Sequence, residues 1–151
     1  FRAGYFDSDM LLLELDEPLL GQPNLAVAGW DRTASPTVTS VDLIHHPKTD
    51  VKKISSDDDA LITTDSDFWI IEDWDAGVTE GGSSGAPLIN QAGKIIGQHS
   101  SCQVAGVCNT NDIGSTVGDF RSGRFNISWT GGGTNDSRLS NWIGGNGDPN
   151  T

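Results

Sequence analysis

The sequence predicts an all-β protein, an antiparallel barrel or sandwich closed by one short helix near the C-terminus. Two observations predict it: the apolar segments are short and separated by turn residues, and only the last stretch carries helical spacing. The expected strands are Met10 to Leu15, Leu25 to Trp30, Val38 to His46, Val51 to Ser55 and Phe68 to Ile71. Pro87 to Asn90 and Lys94 to His99, joined by Gln91-Ala92-Gly93, read as a hairpin. Arg124 to Trp129, where Phe125 and Ile127 alternate with polar residues, supplies a further strand. The helix is expected after Asn135 or Asp136, either of which can cap it. Leu139, Trp142 and Ile143 then lie on one side, and Gly144-Gly145 stops it.

With 151 residues, 35% of them hydrophobic, the chain is long enough for one globular core, and its 19 Gly and 6 Pro suit a turn-rich β protein. No apolar run approaches the ~20 residues of a membrane span. The opening Phe1-Arg2-Ala3-Gly4-Tyr5 has neither the basic region nor the apolar core of a signal peptide, as expected of a mature segment or a piece of one. A formal net charge of −12 argues against nucleic-acid and anionic-membrane partners. The acidic groups Asp7-Ser8-Asp9, Asp57-Asp58-Asp59 and Asp65-Ser66-Asp67 lack the spacing of a dedicated calcium loop, so solvated turns are expected and neither a metal nor another cofactor is. Cys102 and Cys108 enclose five residues, a spacing unlike a zinc site, and point to disulfide chemistry in an oxidising compartment, with pairing to each other one possibility.

The chemistry concentrates in Glu80-Gly81-Gly82-Ser83-Ser84-Gly85-Ala86-Pro87-Leu88, a serine among small residues just before an apolar strand. Such a turn can project a nucleophilic hydroxyl, and small residues let a substrate carbonyl approach two backbone N–H groups, here those of Gly82 and Ser84. A Gly/Ser surface loop is the alternative for the bare motif. The segment resembles the Gly-Asp-Ser-Gly-Gly-Pro motif of trypsin-like serine peptidases, with Ser84 matching the nucleophile, Ser83 in place of the Asp and Ala86 in place of the second Gly. In relatives matured by cleavage that Asp pairs with a freed N-terminus, so its absence implies an oxyanion loop held in another way. The two-serine form is most similar to bacterial lysyl endopeptidases. Gly29-Trp30-Asp31-Arg32, Ile44-His45-His46-Pro47, Val51 to Ser55 and Ser128 to Thr134 also resemble that group, in order along the chain.

The resemblance implies a chymotrypsin-like barrel: 1–24 as the last strand of a first barrel and the connection, 25–134 as the second barrel with the nucleophile, and 135–151 as a helix and loose tail. It further implies a secreted, extracellular bacterial enzyme with a polypeptide substrate. A serine needs a histidine to take its proton and a carboxylate to orient that histidine. Asp9-Met10-Leu11-Leu12-Leu13-Glu14-Leu15 resembles the family's Asp-x-x-Leu-Leu-x-Leu segment, which makes Asp9 the implied third member. In the family the histidine lies well upstream of that aspartate, and only eight residues precede Asp9. His45 and His46 fall where the resemblance assigns no base, and His99 follows the serine on a strand similar to the substrate-binding edge. The base is therefore expected from preceding sequence, which would be a partner of this chain; a fragment or an inactive peptide-binding homologue are the other readings. The family's cysteine near Cys102 bonds to one close to the mature N-terminus, a second option for its pairing.

Peptide docking is expected along His99-Ser100-Ser101 by strand addition. In lysyl endopeptidases an aspartate before a Tyr-Gly-Arg segment pairs with the substrate lysine. Gly118-Asp119-Phe120-Arg121-Ser122-Gly123-Arg124 offers Asp119, given one inserted residue, and implies cleavage after Lys or Arg. The rival is His99, whose place is similar to a histidine of glutamate-specific relatives; a tucked strand histidine is the plain structural alternative.

Overall fold

The computed structural model describes residues 1–17, 23–102 and 117–144. Its core is a curled, antiparallel six-stranded sheet that forms a half-barrel. Two short strands, β1 (Ala3–Tyr5) and β2 (Met10–Leu12), pair as a separate ribbon. The main sheet holds β3 (Val41–His45), β4 (Lys53–Asp57), β5 (Phe68–Asp73), β6 (Pro87–Asn90), β7 (Ile95–Cys102) and β8 (Val117–Arg124). Their spatial order is β4-β3-β6-β7-β8-β5. Among the described residues no helix is long and apolar enough to cross a membrane.

Strand alternation sets the core. In β3 Val41, Leu43 and His45 face inward while Asp42 and Ile44 face out, the period of two that a half-buried strand requires. Val41 and Leu43 join Trp69, Ile71, Trp74, Leu88, Ile96 and Phe120 in one cluster, and the Trp69 indole N–H donates to the Ile96 carbonyl at 2.9 Å. The hairpin at Gln91-Ala92-Gly93 is present, with Gly93 at φ +71° and Asn90 Oδ1 accepting the Ala92 and Lys94 N–H groups.

Three expectations change. Leu25 to Trp30 is not a strand: Leu25 and Val27 are exposed, and only Trp30 makes a bridge, to Ile95. Arg124 to Trp129 is not a strand either. Strand β8 ends at Arg124 and the chain turns at once into helix α1 (Phe125–Thr130). Helical spacing puts Phe125 and Trp129 on one side, where both rings meet Trp30 at centroid distances of 6.1 and 6.5 Å; the apparent alternation was a four-residue aromatic pair. The short C-terminal helix exists, then, but ahead of its expected place. After it, Asn135–Ser137 forms a single 3-10 turn preceded by Thr134, whose N–H donates to Ser137 Oγ. Leu139 is buried there while Trp142 stays 41% exposed.

A second cluster of Ala3, Met10, Phe125 and Leu139 fastens the β1–β2 ribbon to this C-terminal region. The ribbon's turn also packs on β8, where a Cβ added to Gly123 would lie 1.8 Å from the Ser8 carbonyl oxygen. That contact is backbone against backbone and cannot relax by a side-chain rotation. Gly123→Ala is expected to lower unfolding stability by about 1–3 kcal/mol, measured by urea denaturation, with Gly144→Ala as the contrast because open space surrounds Gly144.

Candidate active site

The Gly82–Gly85 turn, the candidate nucleophile turn, is held by strand pairing that continues beyond β6. The Gly85 N–H donates to the His99 carbonyl at 2.7 Å, and the His99 N–H donates to the Ala86 carbonyl at 2.8 Å. This leaves Ser84 exposed, with its hydroxyl donating to the Ser100 carbonyl at 3.2 Å. Gly82 and Gly85 adopt φ of +99° and +83°, the left-handed region that glycine enters without strain. Among the described residues the N–H groups of Gly82 and Ser84 have no acceptor within the protein.

Asp9 comes to the same place from the other core. It closes the turn between β1 and β2, its N–H donating to the Phe6 carbonyl at 3.0 Å with φ at +48°. Gln98 Nε2 donates to the Ser8 carbonyl at 2.6 Å, which ties this turn to β7. Ser100 Oγ then donates to Asp9 Oδ2 at 2.7 Å. Ser100 is the extra residue of a β-bulge: His99 pairs with Ser122 and Ser101 with Arg121, so nothing on β8 faces Ser100. A bulge re-aims a side chain, and here it presents the Ser100 hydroxyl to Asp9 and the carbonyl to Ser84.

The Ile44-His45-His46-Pro47 segment braces the turn from behind. Ser83 is buried at 1% exposure, and its Oγ accepts the Glu80 N–H at 3.0 Å and is hydrogen-bonded to His45 Nδ1 at 2.8 Å. His45 Nε2 meets Ser55 Oγ on β4 at 3.1 Å. The Lys48 N–H donates to the Gly81 carbonyl at 2.7 Å, and Lys48 Nζ pairs with Glu80 at 2.8 Å. A Cβ on Gly82 would lie 3.0 Å from the His46 carbonyl oxygen. Burial pushes the His45 imidazole below its ordinary pKa against the pull of Glu80. Period two in Val41-Asp42-Leu43-Ile44-His45 already placed His45 on the core face, the signal that could have shown its role.

None of the three histidines is hydrogen-bonded to Ser84. His45 faces Ser83 and Ser55, while His46 Nδ1 is bound to the Asp50 carbonyl at 3.1 Å. His99 is 4% exposed, and its Nδ1 has no hydrogen-bond partner among the described residues. Burial, helped by the nearby His45, lowers its pKa to about 4, so the ring is neutral at neutral pH.

Beside Ser84 lies a pocket of about 140 Å³ lined by Thr79, Glu80, Gly81, His99, Ser100 and Ser101, among others. Asp119 sits half-buried on β8 and is not among its described lining residues. Glu80 is, and the sequence motif that contains it, four residues before Ser84, assigns it no role. Cys108, on which one disulfide pairing depends, lies outside the described residues. The acidic groups serve turns: Asp65 Oδ1 accepts the Asp67 and Phe68 N–H groups, and Asp65 pairs with Arg121 at 2.9 Å. Asp57, Asp58 and Asp75 bring carboxylate oxygens within 4.8 Å of one another, and proximity to Asp75 raises the Asp58 pKa.

An antiparallel half-barrel with an exposed serine in a glycine turn, ahead of a strand that carries its neighbours, defines a peptidase domain of the chymotrypsin-like class. The family model for the lysyl endopeptidase C-terminal domain matches residues 1–118, and the chain belongs to that family. The match takes in both Asp9 and Ser84 and ends within β8.

Both His45 and His99 are buried with lowered pKa values, so the unfolded chain binds protons more readily than the native state. Their contribution is fully present above the unfolded pKa of about 6.5 and is lost as pH falls toward the native values, about 4 for His99. Urea unfolding between pH 7 and pH 4 should show stability falling, with up to about 1.4 kcal/mol per pH unit from His99, and His99→Gln should make the fall shallower.

Proposed function

We propose that this chain carries the nucleophile and the orienting carboxylate of a serine endopeptidase, secreted to the extracellular space, that cleaves polypeptides after Lys or Arg. The observation that carries the reading is the convergence of Ser84 and Asp9 on Ser100, across 91 residues of sequence between Asp9 and Ser100. In this reading Ser84 Oγ attacks the scissile carbonyl, and the unpaired Gly82 and Ser84 N–H groups receive the developing oxyanion. The general base is a histidine supplied by sequence preceding Phe1. Its place is beside Asp9 Oδ1 or Oδ2, because the carboxylate must accept from one ring nitrogen while the other takes the serine proton.

Preference for a cationic side chain is supported by Glu80, a carboxylate on the pocket wall beside Ser84. A partly buried carboxylate attracts an ammonium or guanidinium group, and Lys48 would share it with the substrate. His99 supports the glutamate-specific alternative less well, since a neutral imidazole offers a hydrogen bond and no charge.

A fluorophosphonate probe is expected to label Ser84 in the full-length protein, and Ser84→Ala to abolish labelling, read by intact mass. A full-length protein that never reacts while still binding peptides would be a binding homologue. Asp9→Asn should lower kcat on a Lys-amide substrate by up to about 10⁴-fold, because the base then loses its tautomer control. Across amides with Lys, Arg, Glu or Leu before the scissile bond, Glu80→Gln should raise KM for Lys about tenfold and leave the Leu substrate unchanged.

A further inference from the structure

We infer that His45 is the positioning residue of the nucleophile turn, setting the oxyanion geometry through Ser83. The inference rests on the serine-peptidase reading above. Ser83 lies between the two residues whose N–H groups meet the oxyanion, so its orientation governs both. Its hydroxyl points inward, 1% exposed, and holds the Glu80 N–H and the His45 ring together. The ring cannot swing freely, because Ser55 Oγ on β4 holds its far nitrogen at 3.1 Å and the residue is 3% exposed.

Packing alone does not hold this side of the turn. A cavity of about 180 Å³ lies behind it, lined by His45, Pro47, Ser55, Gly77, Val78 and Glu80 among others. A turn backed by open space can shift into it unless a directional bond prevents this, and the His45–Ser83 hydrogen bond is such a bond. A neutral imidazole offers one donor and one acceptor, which suits two serine hydroxyls in either tautomer. Protonation makes both ring nitrogens donors, and the serine that had donated to the ring must then accept from it and turn its own proton to another acceptor. Glu80 on the nucleophile turn favours the charged ring, whereas burial, His46 beside it and Lys53 on β4 oppose it; His99 on β7, itself lowered by His45, faces it as a neutral ring.

The test is kinetic, on the full-length enzyme acting on a Lys-amide substrate from pH 5 to pH 9. His45→Phe and Ser83→Ala are each expected to lower kcat about tenfold, with KM within about twofold. The double variant should lose no more than the worse single one, since both break the same bond. His45→Asn, whose amide can stand where Nδ1 stands, should recover most of kcat and lose the acid limb of the pH profile that His45 contributes. Losses that multiply, a change confined to KM, or kcat unaltered in Ser83→Ala would overturn the inference. If His45→Phe does not fold, Ser83→Ala and His45→Asn decide the matter. A wild-type protein that fails to label with fluorophosphonate removes the peptidase reading and this inference together, whereas a reactive wild type with unaltered variants removes this inference alone.

Discussion

The two hydrogen bonds between His99 and the Gly85–Ala86 backbone are the constraint on which the site depends. They extend the β6–β7 ladder past the end of β6 and so convert a glycine-rich loop into a turn of defined geometry. Once His99 is fixed, the bulge at the next residue determines where Ser100 points. Ser100 then holds Asp9 with its hydroxyl and Ser84 with its carbonyl. A shift of one residue in this register would reverse the faces of β7 and separate all three.

The turn is also held from the opposite side, by a segment whose sequence advertises little. Lys48 N–H bonds Gly81, the Lys48 ammonium bonds Glu80, and His45 bonds Ser83. The Ser83–His45 pair anchors the turn from the interior without a charge. That choice spares the interior an ionised group, whose desolvation would cost several kcal/mol. It also makes the site depend on the neutrality of two histidines, since the nearby His45 adds to the burial that lowers the His99 pKa.

Much of the sheet was legible from the sequence because alternation and turn chemistry are local. Strands β3 to β7 fall within a few residues of their expected limits, and the Gln91-Ala92-Gly93 turn follows from the glycine at positive φ. The Arg124–Trp129 segment was misread because a four-residue aromatic pair with one intervening apolar residue also satisfies alternation. The decision fell to Trp30, nearly a hundred residues away in sequence, against which Phe125 and Trp129 both pack. Leu25 to Trp30 has strand composition yet, among the described residues, pairs only at its end, where Gly29 and Trp30 meet Ile95, and composition cannot supply more.

The sequence by itself determined the class of fold, the serine turn with its glycines, and the family, because each rests on residue types at short, fixed spacing. Only the tertiary structure decided which distant groups meet. It brought Asp9 to Ser100 through the β1–β2 turn, set His45 against Ser83 across the β3–β6 pairing, and put Glu80 on the pocket wall beside Ser84. Such meetings depend on register and on which cores dock, and both are settled by burial summed over the whole chain.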